Sequence, residues 1–185
     1  MKPYDKQNNK YKKLFNENLI KVLKKNKISK SSRAIGLDSK LMRTTKYLNK
    51  YGIKKQKITL IENNYKVHKI HRKHNVNSIY GEVKDVVSKE RKPFDISFMD
   101  SCGTINTFGK LIIQMIKNNY IKDGSVLALT FCKRNRNGGN YKSLYLNFLN
   151  KLRYHARKKG LVLNINKDLE LNYAMHSSYI SFSLL

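Results

Sequence analysis

Several short apolar runs in this sequence stop on a carboxylate. Ala34-Ile35-Gly36-Leu37 closes on Asp38, Ile58-Thr59-Leu60-Ile61 on Glu62, and Phe94-Asp95-Ile96-Ser97-Phe98-Met99 on Asp100, while the run from Val76 to Tyr80 leads into Gly81-Glu82. Carboxylates placed this way can accept hydrogen bonds from a vicinal diol or an amino group, or hold a proton beside a reacting atom. A second string has the opposite character: Cys132-Lys133-Arg134-Asn135-Arg136-Asn137-Gly138-Gly139-Asn140-Tyr141-Lys142. Lys133, Arg134, Arg136 and Lys142 can clamp phosphate oxygens there, and Tyr141 is available to stack on a base. Each feature also has an ordinary explanation. Acidic residues often cap the helix that follows a strand, and a basic, glycine-bearing string is often a solvated loop.

Other chemistry is poorly supported. His68, His71 and His74 are three apart and drift around a helix, with no cysteine or acidic cluster to complete a metal site, so no metal is expected. Cys102 and Cys132 are too few for a disulfide framework and suit a reducing compartment. Gly138-Gly139-Asn140-Tyr141-Lys142-Ser143 lacks the spacing of a phosphate-binding P-loop, and no G-x-G-x-x-G string follows a strand, which argues against ATP or NAD chemistry.

Charge is the outstanding property. The chain has 185 residues, and 39 Lys+Arg against 12 Asp+Glu give +27. A base-composition bias that enriches lysine and asparagine would enrich glutamate too, yet acidic residues are scarce. A polyanionic partner is therefore expected, nucleic acid before an acidic membrane, since no helix is both strongly apolar and basic. No apolar run approaches the ~18–20 residues that span a bilayer, and no apolar signal core follows the charged N-terminus. The expectation is a soluble, intracellular protein without a membrane partner.

The positioning elements follow from periodicity. Tyr11, Leu14, Phe15, Leu19, Val22 and Leu23 form the stripe of an amphipathic helix over residues 9–26, within a lysine-rich extension of residues 1–30. Its lysines, Lys10, Lys12, Lys13, Lys21, Lys24 and Lys25, are expected to join Lys133, Arg134 and Arg136 in the nucleic-acid surface. Residues 31–185 then alternate strands with helices. Strands are expected at 34–37, 57–61, 76–80, 94–99 and 125–131, and helices at 41–51, 65–74, 84–90, 106–119 and 141–159. Gly52 and Gly160 stand where helix C-caps belong. Residues 161–185 have room for two extended segments. This alternation implies an α/β three-layer sandwich on a mostly parallel sheet, with strand C-termini, and hence the carboxylates, along one edge.

These endings resemble the class I S-adenosylmethionine-dependent methyltransferases, a Rossmann-like family that closes its sheet with a C-terminal antiparallel strand. The resemblance covers about residues 30–185. It implies that Glu62 binds the cofactor ribose, that Gly81 and Glu82 lie at the adenine, and that Asp100 contacts the methionine amino group or a substrate proton. It further implies that Asp38 and the loop after it lie at the methionine. The family's glycine-rich loop is absent: the chain reads Gly36-Leu37-Asp38-Ser39-Lys40-Leu41-Met42-Arg43-Thr44-Thr45. Cofactor contacts would then come from Ser39, Thr44 or Thr45. Asp100-Ser101-Cys102-Gly103 also differs from the Asp/Asn-Pro-Pro-aromatic string of base-amino methylases, and Cys102 lacks the proline that precedes a pyrimidine-attacking thiol. Two functions lead: a methyltransferase acting on RNA or DNA with S-adenosylmethionine as cofactor, or a non-enzymatic nucleic-acid-binding protein on a degenerate form of that fold. A methyltransferase for a protein or small molecule, its charge serving localisation, is the third.

Overall fold

The computed structural model describes residues 3–89, 92–132, 141–166, 168, 171–173 and 177–184; for 3–9, 101, 102, 132, 141 and those from 171 onward it describes the backbone only. The chain runs α1 (Pro3–Lys25), β1 (Ala34–Leu37), α2 (Arg43–Tyr51), β2 (Ile58–Glu62), α3 (Tyr65–Lys73), β3 (Asn77–Tyr80), α4 (Val83–Val87), β4 (Phe94–Thr104), α5 (Ile105–Lys117), β5 (Ile121–Cys132), α6 (Tyr141–Arg157), β6 (Leu163–Ile165), β7 (Leu171–Tyr173) and β8 (Ser177–Leu184).

One eight-stranded sheet results, in the order β3-β2-β1-β4-β5-β8-β6, with β7 pairing on β8. Strands β1 to β5 are mutually parallel, and β8 lies antiparallel on β5. The Rossmann-like sandwich expected from the alternation is therefore present, including the C-terminal antiparallel strand. Several boundaries differ from the sequence reading: α1 begins at Pro3 and not at residue 9, α2 at Arg43 and not at residue 41, and among the described residues three strands rather than two extended segments follow residue 161. β4 continues past Asp100 to Thr104 through a register shift, and β5 begins at Ile121, passing the Asp123-Gly124 turn with Gly124 at φ +72°.

Side-chain alternation along the strands sorts the core into two layers. Ile35, Ile61, Met99, Leu127 and Leu129 face Val87 of α4, Phe108, Ile112 and Met115 of α5, and Leu152 of α6. Ala34, Leu60, Ile96, Phe98, Val126 and Ala128 face the other way, onto Phe15, Leu19, Val22 and Leu23 of α1 and Leu48 of α2. The basic N-terminal helix is thus one of the helices that cover the sheet, with Phe15, Leu19, Val22 and Leu23 of its stripe buried and Tyr11 and Leu14 partly so. Gly36 sits at the centre of this second face. A Cβ there would lie 2.3 Å from the Phe98 carbonyl oxygen and 2.5 Å from its ring, so only glycine lets β1 and β4 pack.

At the opposite, N-terminal end of the strands, Asp95 ties three of them together. Its Oδ2 accepts from the Arg33 N–H at 2.7 Å, ahead of β1, and its Oδ1 meets the Lys122 Nζ of β5 at 2.6 Å. Burial pushes the Asp95 carboxyl up, but the hydrogen bonds from Lys122 and the Arg33 backbone together outweigh it and hold the pKa below the usual value. A depressed folded-state pKa gives stability that is present above the unfolded value, about 3.9, and lost as pH falls through the folded one. Asp95→Asn should therefore cost about 1 kcal/mol at neutral pH, a figure discounted for the half-exposed Lys122. In urea denaturation the gap between variant and wild type should close below about pH 4.

Candidate functional site

The register of the parallel strands decides where the carboxylates stand. Gly36 of β1 pairs with Leu60 of β2 and with Phe98 of β4. Two residues further along each chain segment come Asp38, Glu62 and Asp100, so the three stand level at the C-terminal edge. Glu62 in turn pairs with Tyr80, and Asp100 with Thr130. The row from β3 to β5 thus reads Tyr80, Glu62, Asp38, Asp100, Thr130.

Asp38 is buried and turned onto its own loop. Its Oδ1 accepts from the Ser39 N–H at 3.0 Å, and its Oδ2 from the Thr45 N–H at 2.8 Å and the Thr45 hydroxyl at 3.0 Å. The helix α2 has no capping side chain at Met42, which adopts the left-handed conformation at φ +48°. Asp38 serves instead, accepting from an N–H in the first turn. Met42 thus makes a left-handed turn in the segment that replaces the glycine-rich loop, and its side chain enters the core beside Phe15 and Leu48. Thr44 and Thr45 are buried, and the Thr44 Oγ1 has no partner among the described residues. Ser39 is exposed; its hydroxyl accepts from the Leu41 N–H, and its carbonyl meets Nε2 of the fully buried His71 at 3.3 Å. His71 therefore braces this loop from α3.

Glu62 is half-buried. Its Oε1 accepts from the Asn64 N–H at 2.8 Å, and its Oε2 has no partner among the described residues. Asn64 then caps α3 by accepting from the Lys66 and Val67 N–H groups. The Asn63 amide donates to Glu82 Oε1 at 3.0 Å, and the Gly81 N–H to the Glu62 carbonyl, so the ends of β2 and β3 are tied side by side.

Asp100 lies on the α1 face. The Thr130 hydroxyl donates to its Oδ1 at 2.8 Å, and its Oδ2 forms an ion pair with Lys12 of α1, whose side chain is only 12% exposed. The sequence reading set Lys12 among the N-terminal lysines that face nucleic acid; the structure turns it inward onto Asp100, and nothing in a run of lysines marks the one that does so. Thr130 was recoverable from strand pairing alone. Of the basic residues proposed to clamp phosphate, Lys142 is exposed on the first turn of α6, which begins at Tyr141. Lys133, Arg134 and Arg136 lie outside the described residues. The three histidines separate: His71 is buried, His68 bonds to Ser78 Oγ at 2.9 Å, and His74 is exposed. Among the described residues no group of His, Cys, Asp or Glu could hold a metal ion, and no helix is long and apolar enough to cross a membrane.

Sheet order and layering define a Rossmann-like α/β sandwich, a fold found in methyltransferases. Solved structures similar to this chain share it. A Haemophilus influenzae protein described provisionally as a methylase superposes with a TM-score of 0.64 at 15% identity, over 91% of this chain and 86% of its own. The fibrillarin pre-rRNA processing protein of Methanococcus jannaschii gives 0.62 at 12% identity, over 84% and 67%. The M. jannaschii TYW2 in complex with AdoMet gives 0.57 at 17%, over 90% and 74%. No protein-family model matches the sequence, and no curated protein matches it.

The geometry gives Asp38 a measurable role whatever binds nearby. Asp38→Ala removes three acceptor contacts at the start of α2 and should destabilise the fold by about 2 kcal/mol. Ser39→Ala, at an exposed turn, should cost under about 1 kcal/mol. Paired urea titrations measure both.

Proposed function

We propose that this chain is an S-adenosylmethionine-dependent methyltransferase acting on a nucleic acid, RNA or DNA. The supporting observation is the level row of Glu62, Asp38 and Asp100 at the C-terminal edge of a methyltransferase-type sheet. The donor set suits the cofactor. Glu62 has one oxygen fixed by Asn64 and another without a partner among the described residues, as acceptance from ribose hydroxyls requires. Gly81 and Glu82, tied beside Glu62, would meet the adenine. The loop shaped by Asp38 and Thr45, with Ser39 and Thr44, would border the methionine end. Asp100, its direction set by Thr130 and Lys12, would receive the methionine amino group or a substrate proton. S-adenosylmethionine, when bound, supplies a methyl group already activated on a sulfonium. The protein's task is then alignment more than acid–base work.

The nucleic-acid substrate rests on the charge of +27. The Lys133, Arg134, Arg136, Tyr141 and Lys142 string, which follows β5 in the sequence, is its expected clamp. A second reading, a binding protein without activity, is favoured by one observation: Asp38 and Asp100 already have partners within the chain.

Calorimetric titration with S-adenosylmethionine separates the two. Binding is expected in the wild type, weakened about tenfold or more in Glu62→Ala, since a charge-assisted hydrogen bond contributes ~1.5–3 kcal/mol. No heat at millimolar cofactor establishes the second reading, and an unchanged affinity in the variant removes Glu62 from the site.

Nucleic-acid affinity, read by anisotropy across a salt series, should fall linearly on logarithmic axes by ~0.7–0.9 per phosphate neutralised. Replacing Lys133, Arg134 and Arg136 together should flatten that slope. A steep slope that survives the replacement moves the clamp elsewhere, and a salt-insensitive wild type overturns the polyanion reading.

A further inference from the structure

Beside the carboxylate row, at the open edge of the sheet, three rings form a cluster the proposed chemistry does not use. Tyr65 opens α3 and Tyr80 closes β3; both are more than half exposed, at 54% and 57%. Their ring centroids are 5.5 Å apart at an interplanar angle of 71°. His68 wedges beneath them, 6.2 Å from Tyr65 and 5.8 Å from Tyr80, and is anchored by its Nδ1 contact to Ser78. The two tyrosines are therefore held in place while much of each ring stays in water. Isolated exposed tyrosines need no explanation. A braced pair costs ordering without gaining burial, which points to a partner that supplies the missing contact.

The surrounding charge selects the partner. Lys66, Lys69, Arg72 and Lys73 all lie on α3, with Lys69 Nζ 4.5 Å from the Tyr65 ring, and no carboxylate occurs between Glu62 and Glu82. Flat aromatic faces beside a row of cations match a strand of unstacked bases on a phosphate backbone. A membrane surface would call for exposed aliphatic side chains beside the rings. The nearest, Ile79, is partly buried and packs against the core.

We propose that Tyr65 and Tyr80, with the cations of α3, form a stacking platform for single-stranded polynucleotide, separate from the residues that would hold the cofactor. This deepens the proposed nucleic-acid reading and rests on it. Stacking contributes through ring faces and phosphate contacts through released counterions, so the two leave different signatures. Tyr65→Ala/Tyr80→Ala should weaken binding of a deoxythymidine or uridine oligomer about tenfold or more, without changing the salt slope or the affinity for duplex. Tyr65→Phe/Tyr80→Phe should bind like the wild type. The chain contains no tryptophan, so Tyr65→Trp introduces a single reporter whose fluorescence should be quenched by either oligomer.

If the wild type binds single strands and the alanine variant binds them equally well, the platform is overturned while the nucleic-acid reading stands. A wild type that binds no polynucleotide overturns both. Loss of S-adenosylmethionine binding in the alanine variant would assign the rings to the cofactor pocket. Wild-type binding to phosphatidylserine vesicles but not to oligonucleotides would assign them to a membrane surface.

Discussion

At the centre of the sheet the backbones of β1 and β4 approach so closely that the Phe98 carbonyl and ring occupy the space a side chain at Gly36 would need. This contact fixes the register of β1 against β4, because sliding β1 by one residue would set a Cβ against Phe98, while on β2 the same slip would turn every apolar residue to the wrong layer. The level row of Asp38, Glu62 and Asp100 follows from that register without any further device. Residues at the ends of three separate strands, none adjacent in sequence, meet at one edge because those strands are paired in step.

The carboxylates then diverge in environment. Asp38 takes over the capping that Met42 cannot provide and is used up by its own loop. Glu62 shares itself between a loop amide and the open edge. Asp100 is held by a hydroxyl from β5 and an ammonium from α1. Among so many lysines, Lys12 is distinguished by burial: Phe15, one turn on, carries its ammonium 5.4 Å from the ring centroid while the rest of the stripe anchors the helix. A largely buried cation needs a carboxylate, and a buried carboxylate a cation, so each explains the position of the other.

Most of the architecture was legible in the sequence. Buried parallel strands read as short apolar runs, and residues such as Ile58, Ile61 and Ile96 sit where those runs placed them. Strand ends were less legible: β4 extends to Thr104 because pairing with β5 carries on beyond the apolar run. Site residues divided by how local their cause was. The strand-ending carboxylates could be read from the chain, since each follows its own strand. The inward turn of Lys12, the burial of Thr44, and His71 reaching from α3 to Ser39 depend on which face of a helix meets the sheet, and composition says nothing about that. Tyr65 and Tyr80 are fifteen positions apart and become neighbours only because β2 and β3 are adjacent.

The burial of α1 also has a consequence in time. Its apolar stripe is completed by Val126 and Ala128, which belong to the other half of the chain. A ribosome delivers the helix long before it delivers those partners, and such long-range contacts are slow to close. During that interval a cationic amphipathic segment has only part of its cover, from α2 and the first strands. The cover of this helix is therefore complete only once the second half of the chain has been made.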